Sequence, residues 1–351
     1  MTRPAITGAF LAILLLACKQ QPAAPAQPAA AAVTLQTDLP EAMVDTALRL
    51  IASSGGPLGE RVAAQKTDAS ALPAAPGQKP AAPAPAGSDL RWECEPYGAI
   101  AAAAAGELAP MPQSGQTVPP LWRDAGGTWV AIGGRAEVLL VNTDELGDHG
   151  APVRFTALTE PWLKGKVAIA APTNGPSLAH FAALYQAWTA ERMEIWLNGL
   201  KANQVQLLDS ADEVRKAVVT GQAIVGILTS DQAAMAAASA AHVLVVYPNQ
   251  RSIGTFVWPT ALSVPKNASE DTRRLAERLA DKSTEQLLVA RVPGYLPLRG
   301  DIPTPPGVRS AANLVVISVD PGAIVNEIAL RKERLAAWTA ELKKLAAAPL
   351  K

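Results

Sequence analysis

Between Val167 and Tyr247 the chain alternates short apolar runs with segments of helical periodicity, and few backbones satisfy that alternation. Val167 to Ala170, Val205 to Leu208, Ala223 to Leu228 and Val243 to Tyr247 have the length of strands. Between them come the loop Pro172 to Pro176, a helix from Ser177 through Trp188, another through Trp196 and Leu197, and an Ala-rich helix after Asp231. Ser210 and Glu213 have capping-box spacing, in which a hydroxyl and a carboxylate satisfy free N–H groups at a helix start, and Gly221 closes that helix. Apolar strands separated by helices are covered on both faces, so the pattern predicts an α/β fold with a mostly parallel sheet.

The same reading extends outward. Val33 to Thr37 alternates like a strand, and Asp38 with Glu41 repeats the capping spacing before a face of Met43, Val44, Ala47, Leu48 and Ile51. Asp89 to Trp92 reads as a strand, and an Ala-rich helix follows Tyr97 and ends at Gly106. Val130 to Ile132 and Ala136 to Val141 read as strands around Gly133-Gly134. Phe256 to Val264 is a further strand, which Pro259 confines to an edge or a crossover. Helices are expected over Ser269 to Ala280, Thr284 to Arg291 and Asn326 to Leu345, the last with Ile328, Leu335, Trp338, Leu342 and Leu345 on a docking stripe. At 351 residues the chain has room for two compact units.

The N-terminus is of another kind. Arg3 precedes the apolar run Ala9 to Leu16, too short for a membrane span of about 20 residues, and a small residue stands before Cys18. Residues 1–17 read as a secretory signal, and Leu15-Leu16-Ala17-Cys18 resembles the bacterial lipobox, which would make Cys18 the acylated first residue of a protein anchored at the cell envelope. An ordinary signal peptide cut nearby is the alternative. Residues 18–32, rich in Gln, Pro and Ala, would then be a tether, and the Pro-Ala-Gly stretch 69–87 reads as a flexible insertion. Cys94 is the only other cysteine, which leaves no disulfide framework. With 31 basic and 31 acidic side chains there is no field to attract nucleic acid.

Several blocks in order resemble the bacterial substrate-binding proteins of ABC importers, in particular the ferric-iron group of the two-lobed, two-crossover class. They are Trp92 to Pro96, Trp129-Val130-Ala131 with Arg135 to Thr143, Trp162 to Ala170, Pro172 to Ser177, Trp196-Leu197 with Leu200 to Asn203, Ala217-Val218 with Gly221, and Tyr247-Pro248. The resemblance implies a type II periplasmic-binding-protein-like clamshell, each lobe a mostly parallel sheet flanked by helices. Residues 33–141 plus 255–320 would form lobe 1, 142–254 lobe 2, and 321–351 a helix packing on the lobes. Val138 to Thr143 and Gly254 to Leu262 would form the hinge. A small-molecule or ion ligand, an ABC permease as partner, a monomeric state and a periplasmic or envelope address follow from the same likeness. Ferric members carry adjacent tyrosines near Thr229-Ser230-Asp231; here Tyr97, Tyr185, Tyr247 and Tyr295 are scattered.

Seven residues are candidates for the ligand site. The loop holding Asn174 and Ser177 precedes a helix, whose free N–H groups favour an anion, although Ser177 would serve equally as an N-cap. Asp38 has the same double reading. Glu95 follows a strand end, where ligands of open α/β sheets gather, and suits a cation or amine. Arg135, near the crossover, suits a carboxylate or phosphate, or a structural acid. Ser230 and Asp231 stand between a strand and a helix, with Asp231 a possible N-cap. His149, His180 and His242 lack the spacing of a zinc site, so neither a histidine-held metal nor a cofactor is expected, while the resemblance leaves iron or another cation or anion open as the ligand. No catalytic constellation is visible, which leaves an enzyme as the weakest reading and a decayed, protein-contacting lipoprotein as the second.

Overall fold

The structure, a computed structural model, describes residues 33–54, 61–67, 89–240 and 242–347. The signal, Cys18, the tether and the 69–87 insertion lie outside the described residues. The first strands and helices are β1 (Val33–Thr37), α1 (Glu41–Ser53), β2 (Val62–Lys66), β3 (Leu90–Glu93), α2 (Tyr97–Ala104), α3 (Gln113–Gln116) and β4 (Trp129–Asn142). The middle of the chain contributes β5 (Val167–Ala170), α4 (Gly175–Ala187), α5 (Ala190–Ala202), β6 (Gln206–Leu208), α6 (Ala211–Val219), β7 (Val225–Thr229), α7 (Ser230–Ser239) and β8 (Val243–Val246). The chain continues through β9 (Val257–Ser263), α8 (Glu270–Leu279), α9 (Lys282–Arg291) and α10 (Pro321–Ala347).

These strands form two half-sheets that share one member. In the first, β2, β1 and β3 run parallel, β9 pairs antiparallel with β3, and β4 pairs antiparallel with β9. In the second, β6, β5 and β7 run parallel, while β4 pairs antiparallel with β7 and with β8. The antiparallel pairs all involve β4 or β9, the strands that run between or beside the halves. Helix α1 connects β1 to β2, α4 and α5 connect β5 to β6, and α6 connects β6 to β7, as the sequence pattern requires. Exposed β2 falls in a stretch that carries no period-2 apolar signal: only Val62 of Val62–Lys66 is large and apolar.

Strand β4 is one 14-residue element rather than two runs. Its segment Trp129–Ala136 pairs with β9, and from Glu137 onward it pairs with β7. The register with β9 shifts between Ala131 and Gly134, a bulge opposite Pro259, which is how an interior strand tolerates a residue without an N–H. Gly133 has φ +65°, and a Cβ there would lie 2.3 Å from the Tyr295 ring. The glycine pair therefore serves the bulge and the close approach of Tyr295, whose hydroxyl donates to the Ile132 carbonyl.

Two capping expectations change. Helix α1 has Pro40 as N-cap with no side-chain bond, because the Asp38 carboxylate instead accepts the Cys94 N–H at 2.6 Å and ties the end of β1 to the end of β3. Ser177 does not cap α4, which starts two residues earlier; its hydroxyl donates to the Ala170 carbonyl at 2.7 Å. The Ser210 cap of α6 is as expected, with the Glu213 N–H bonded to Ser210 Oγ and Glu213 reaching back to the Asp209 N–H.

One buried cluster runs from α1 and β1 through β3, β9 and α8 to the α6 and α7 side of the second half-sheet. The other packs α4, α5 and α10 on the opposite side, with Trp258 and Phe256 at its edge. Helix α10 docks through Leu335, Trp338 and Leu342, and its rim pairs Arg334 with Glu194, Lys201 with Glu341 and Lys343 with Asp209. The predicted stripe is the docking face except at Leu345, which is 54% exposed.

The halves also meet at the start of α7. Ser230, at the start of α7, is 1% exposed; its hydroxyl donates to the Gly294 carbonyl at 2.6 Å and accepts the Ala136 N–H at 3.0 Å. Gly294 has φ +68°, and a Cβ there would stand 2.1 Å from the Ser230 carbonyl oxygen. Gly294→Ala therefore combines a left-handed strain of about 1–2 kcal/mol with a backbone overlap, and the expected total loss is above about 2 kcal/mol. Urea denaturation measures it; an unchanged midpoint would mean that the 292–295 turn is not held against α7.

Candidate functional site

The carboxyl ends of β5, β6 and β7 open at the same edge, and α4, α6 and α7 start there. A cavity of about 290 Å³ lies at this edge, closed on one side by β4. Its lining includes Asn174 and Ser177 at the start of α4, Asp209 and Ser210 before α6, Thr229, Asp231 and Gln232 at the start of α7, His180 one turn into α4, and Arg135 with Glu137 from β4. Parallel strands with helices behind them leave such a crevice at their carboxyl ends, which is where open α/β sheets bind ligands.

Four of the seven sequence candidates, Arg135, Asn174, Ser177 and Asp231, line this cavity. Ser230 does not; both hydrogen-bonding capacities of its hydroxyl are used in the contact with Ala136 and Gly294. Asp38 and Glu95 stand outside the lining, at the ends of β1 and β3, with Asp38 engaged by Cys94. Asp231 is not an N-cap, since α7 begins at Ser230. Sequence reasoning missed Glu137, His180 and Gln232. A carboxylate inside the apolar run Ala136 to Val141 was the available signal for Glu137; Gln232 offered none.

The electrostatics of the cavity follow from burial. Arg135 donates from Nη2 to the Cys94 carbonyl at 3.3 Å, while its Nε is buried with no partner in the protein. Burial opposes its charge, but Cys94, Asp231 and Glu95 around it more than compensate, so the guanidinium remains charged. Glu137, 4% exposed, accepts the Trp258 indole N–H at 3.0 Å on Oε1, and burial pushes its carboxyl up to about 8 against the opposing Trp258 bond and Arg135. His180, 1% exposed, has Nδ1 3.9 Å from Glu137 Oε2, and burial pulls it down to about 3. Both are neutral near pH 7.

Beside the cavity, on the first half-sheet, the Glu93 and Glu95 carboxyls are pushed up to about 7. Burial is the main cause for each; Arg91 opposes it at Glu93 and Arg135 at Glu95, while Asp38 adds to both. Cys94, between them, is raised to about 12 by burial despite Arg135, which makes it a poor nucleophile. Among the described residues no group of three His, Cys, Asp or Glu is placed to hold a metal ion. The tyrosines are engaged elsewhere: Tyr97 edge-on to Trp258, Tyr185 bonded to Glu194, Tyr247 under Arg309, and Tyr295 behind the β4 bulge.

Two half-sheets crossed by a shared strand, with a polar crevice at their junction, define the architecture of a type II periplasmic binding protein. The chain belongs to the family of bacterial extracellular solute-binding proteins, whose sequence model matches residues 101–309. Solved structures agree on the fold. Iron-bound HitA from Pseudomonas aeruginosa superposes with a TM-score of 0.69 at 18% identity, covering 89% of this chain and 99% of that one. The open ferric iron-binding protein A of Mannheimia haemolytica gives 0.64 at 18% identity, with 90% and 99% covered. Apo FutA2 from Synechocystis gives 0.65 at 20% identity, with 89% and 98% covered.

Glu137 supplies a test of the electrostatics. Its folded pKa lies above its unfolded value, so its contribution is most favourable below the unfolded pKa of 4.5 and is lost as pH rises toward about 8. Glu137→Gln keeps an acceptor for Trp258 and removes that titration. The variant should match the parent near pH 4 and exceed it in stability at pH 8, as read from urea midpoints at the two values. Equal midpoints at pH 8 would show that the carboxylate is ionised without cost.

Proposed function

We propose that the protein is an extracytoplasmic receptor that takes a small organic solute into the cavity between its halves, closes on it about the crossing strands, and delivers it to an ABC permease. The observation that carries this reading is the convergence of Arg135, Asn174, Ser177 and Asp231 on one crevice at the junction of the half-sheets. Family membership supports solute binding, and the envelope address and the anchor through Cys18 rest on the sequence of the leader. The halves correspond to two lobes, with Arg135 to Glu137 of β4 as one hinge passage and Pro248 to Thr255 as the other. Thr255 supports the second passage: its N–H donates to the Val315 carbonyl, its hydroxyl donates to the Pro248 carbonyl, and the neighbouring Phe256 carbonyl accepts the Glu137 N–H. Hinge closure about such paired passages is an established motion.

HitA is iron-bound and the Mannheimia protein is a ferric iron-binding protein, and the cavity here is poorly made for that cargo. Fe(III) is a hard cation that takes anionic oxygen ligands, yet no tyrosine lines the cavity. Of its acids, Glu137 is held neutral and Asp209 is paired with Lys343, which leaves Asp231. Nothing at the site assembles a catalytic set either: the one histidine in the lining stays neutral and the one described cysteine is a raised thiol.

Gently purified full-length protein should retain a small organic molecule visible by native mass spectrometry and gain about 2.7 kcal/mol of stability at a hundredfold excess of that molecule over its Kd. Titration with Fe(III) citrate should give no phenolate-to-iron absorption band and no thermal shift. Stoichiometric ferric binding would overturn the organic-solute reading. A protein that neither retains nor responds to any small molecule would favour the decayed, protein-contacting alternative.

A further inference from the structure

The cavity states its own ligand requirements through atoms that the fold leaves unsatisfied. Twelve buried side-chain polar atoms among the described residues have no partner within the protein, and four of them line this one cavity: Arg135 Nε, His180 Nε2, Asp231 Oδ1 and Gln232 Oε1. Buried polar groups are satisfied in the great majority of cases, so a cluster of exceptions in one crevice marks groups that await a partner. They are of two kinds. Arg135 Nε can only donate, and the carboxylate of Asp231 and the amide oxygen of Gln232 can only accept. His180, 1% exposed, contributes whichever role its tautomer leaves at Nε2.

Backbone geometry repeats the division. The first turn of α4 is capped by no side chain, since Asn174 makes no capping bond and Ser177 donates away to Ala170. Helix α7 likewise lacks a side-chain cap at Thr229. The start of α4 shares the cavity lining with Arg135, and an uncapped helix start favours an anionic group. The opposite need is local to Asp231 and Gln232. The charges also balance: Arg135 and Asp231 offset each other, Glu137 and His180 are neutral near pH 7, and Asp209 is paired with Lys343. A net charge near zero, made of one unmet requirement of each sign, disfavours a simple anion and a simple cation alike. The volume sets the size. About 290 Å³ suits a small solute rather than a polymer.

Resting on the solute-receptor reading, we infer that the ligand is a small zwitterion, its carboxylate, sulfonate or phosphonate-like end held by Arg135 and the start of α4, and its ammonium end held by Asp231 and Gln232 in the first turn of α7. The ligand neutralises both requirements at once, and neither half of it alone does so.

The test is calorimetry and thermal shift on the full chain with three probe classes: zwitterions (β-alanine, γ-aminobutyrate, L-glutamate, taurine, phosphoethanolamine), anions (succinate, inorganic phosphate) and a cation (putrescine). At least one zwitterion should bind, and at least about tenfold more tightly than every single-sign probe, a difference of roughly 1.4 kcal/mol. Asp231→Ala should weaken that zwitterion by at least about tenfold while strengthening inorganic phosphate, a reversal that a merely misfolded variant does not produce. Arg135→Lys, which keeps the charge and loses the planar fork, should weaken the zwitterion and leave putrescine unbound. Preference for succinate or phosphate over every zwitterion, or an Asp231→Ala variant with unchanged selectivity, would overturn the zwitterion inference and leave the receptor reading standing. Binding of Fe(III) citrate alone would instead sink the receptor reading as stated.

Discussion

Strand β4 gives its backbone hydrogen bonds first to one half-sheet and then to the other, and the position of everything in the cavity depends on that exchange. Up to Ala136 it pairs with β9, and from Glu137 it pairs with β7. Side chains alternate along a strand, so Arg135 and Glu137 share one face, and that face is the crevice wall. Two ionisable residues side by side in an otherwise apolar strand would be costly in a uniform core. Here the changeover opens a crevice for them, and the indole of Trp258 supplies Glu137 with a donor.

The second half of the cavity follows from a different constraint. Parallel strands require helical connections, and the helix starts must lie at the strands' carboxyl ends. Three connections in succession, into α4, α6 and α7, therefore place three helix starts at one edge. Ser210 closes one of them as a cap. No side chain caps the other two, and the first turn of α7 carries Asp231 into the lining.

Much of this was legible in the sequence. Each strand and helix between Val167 and Tyr247 is present with small shifts at its ends, because apolar runs and helical spacing are local properties. Asn174 and Ser177 could be named because they stand before a helix start, Asp231 because it stands between a strand and a helix, and Arg135 because it lies near the crossover. Ser230 satisfied the same rule, and yet its hydroxyl serves Gly294, sixty-four residues away. No local pattern distinguishes a serine that faces a crevice from one that clamps a turn. Asp38 was misread as a cap for a similar reason: its partner, the Cys94 N–H, is brought to it only by pairing of β1 with β3. His180 carried no periodic anomaly, since a neutral histidine in a helix looks like any packed residue.

The segment Leu314 to Asp320 passes from the β9 side of the molecule to α10, and Ile317 donates to the Thr255 carbonyl as it goes by. A body whose halves were joined by one thread could swivel freely; with two it could still twist. If the halves do move as proposed, a third passage, held beyond the joint by the ion pairs of α10, would restrain twisting more than bending. Such a joint would open and shut along one path, presenting the same two edges to the outside at each end of its travel.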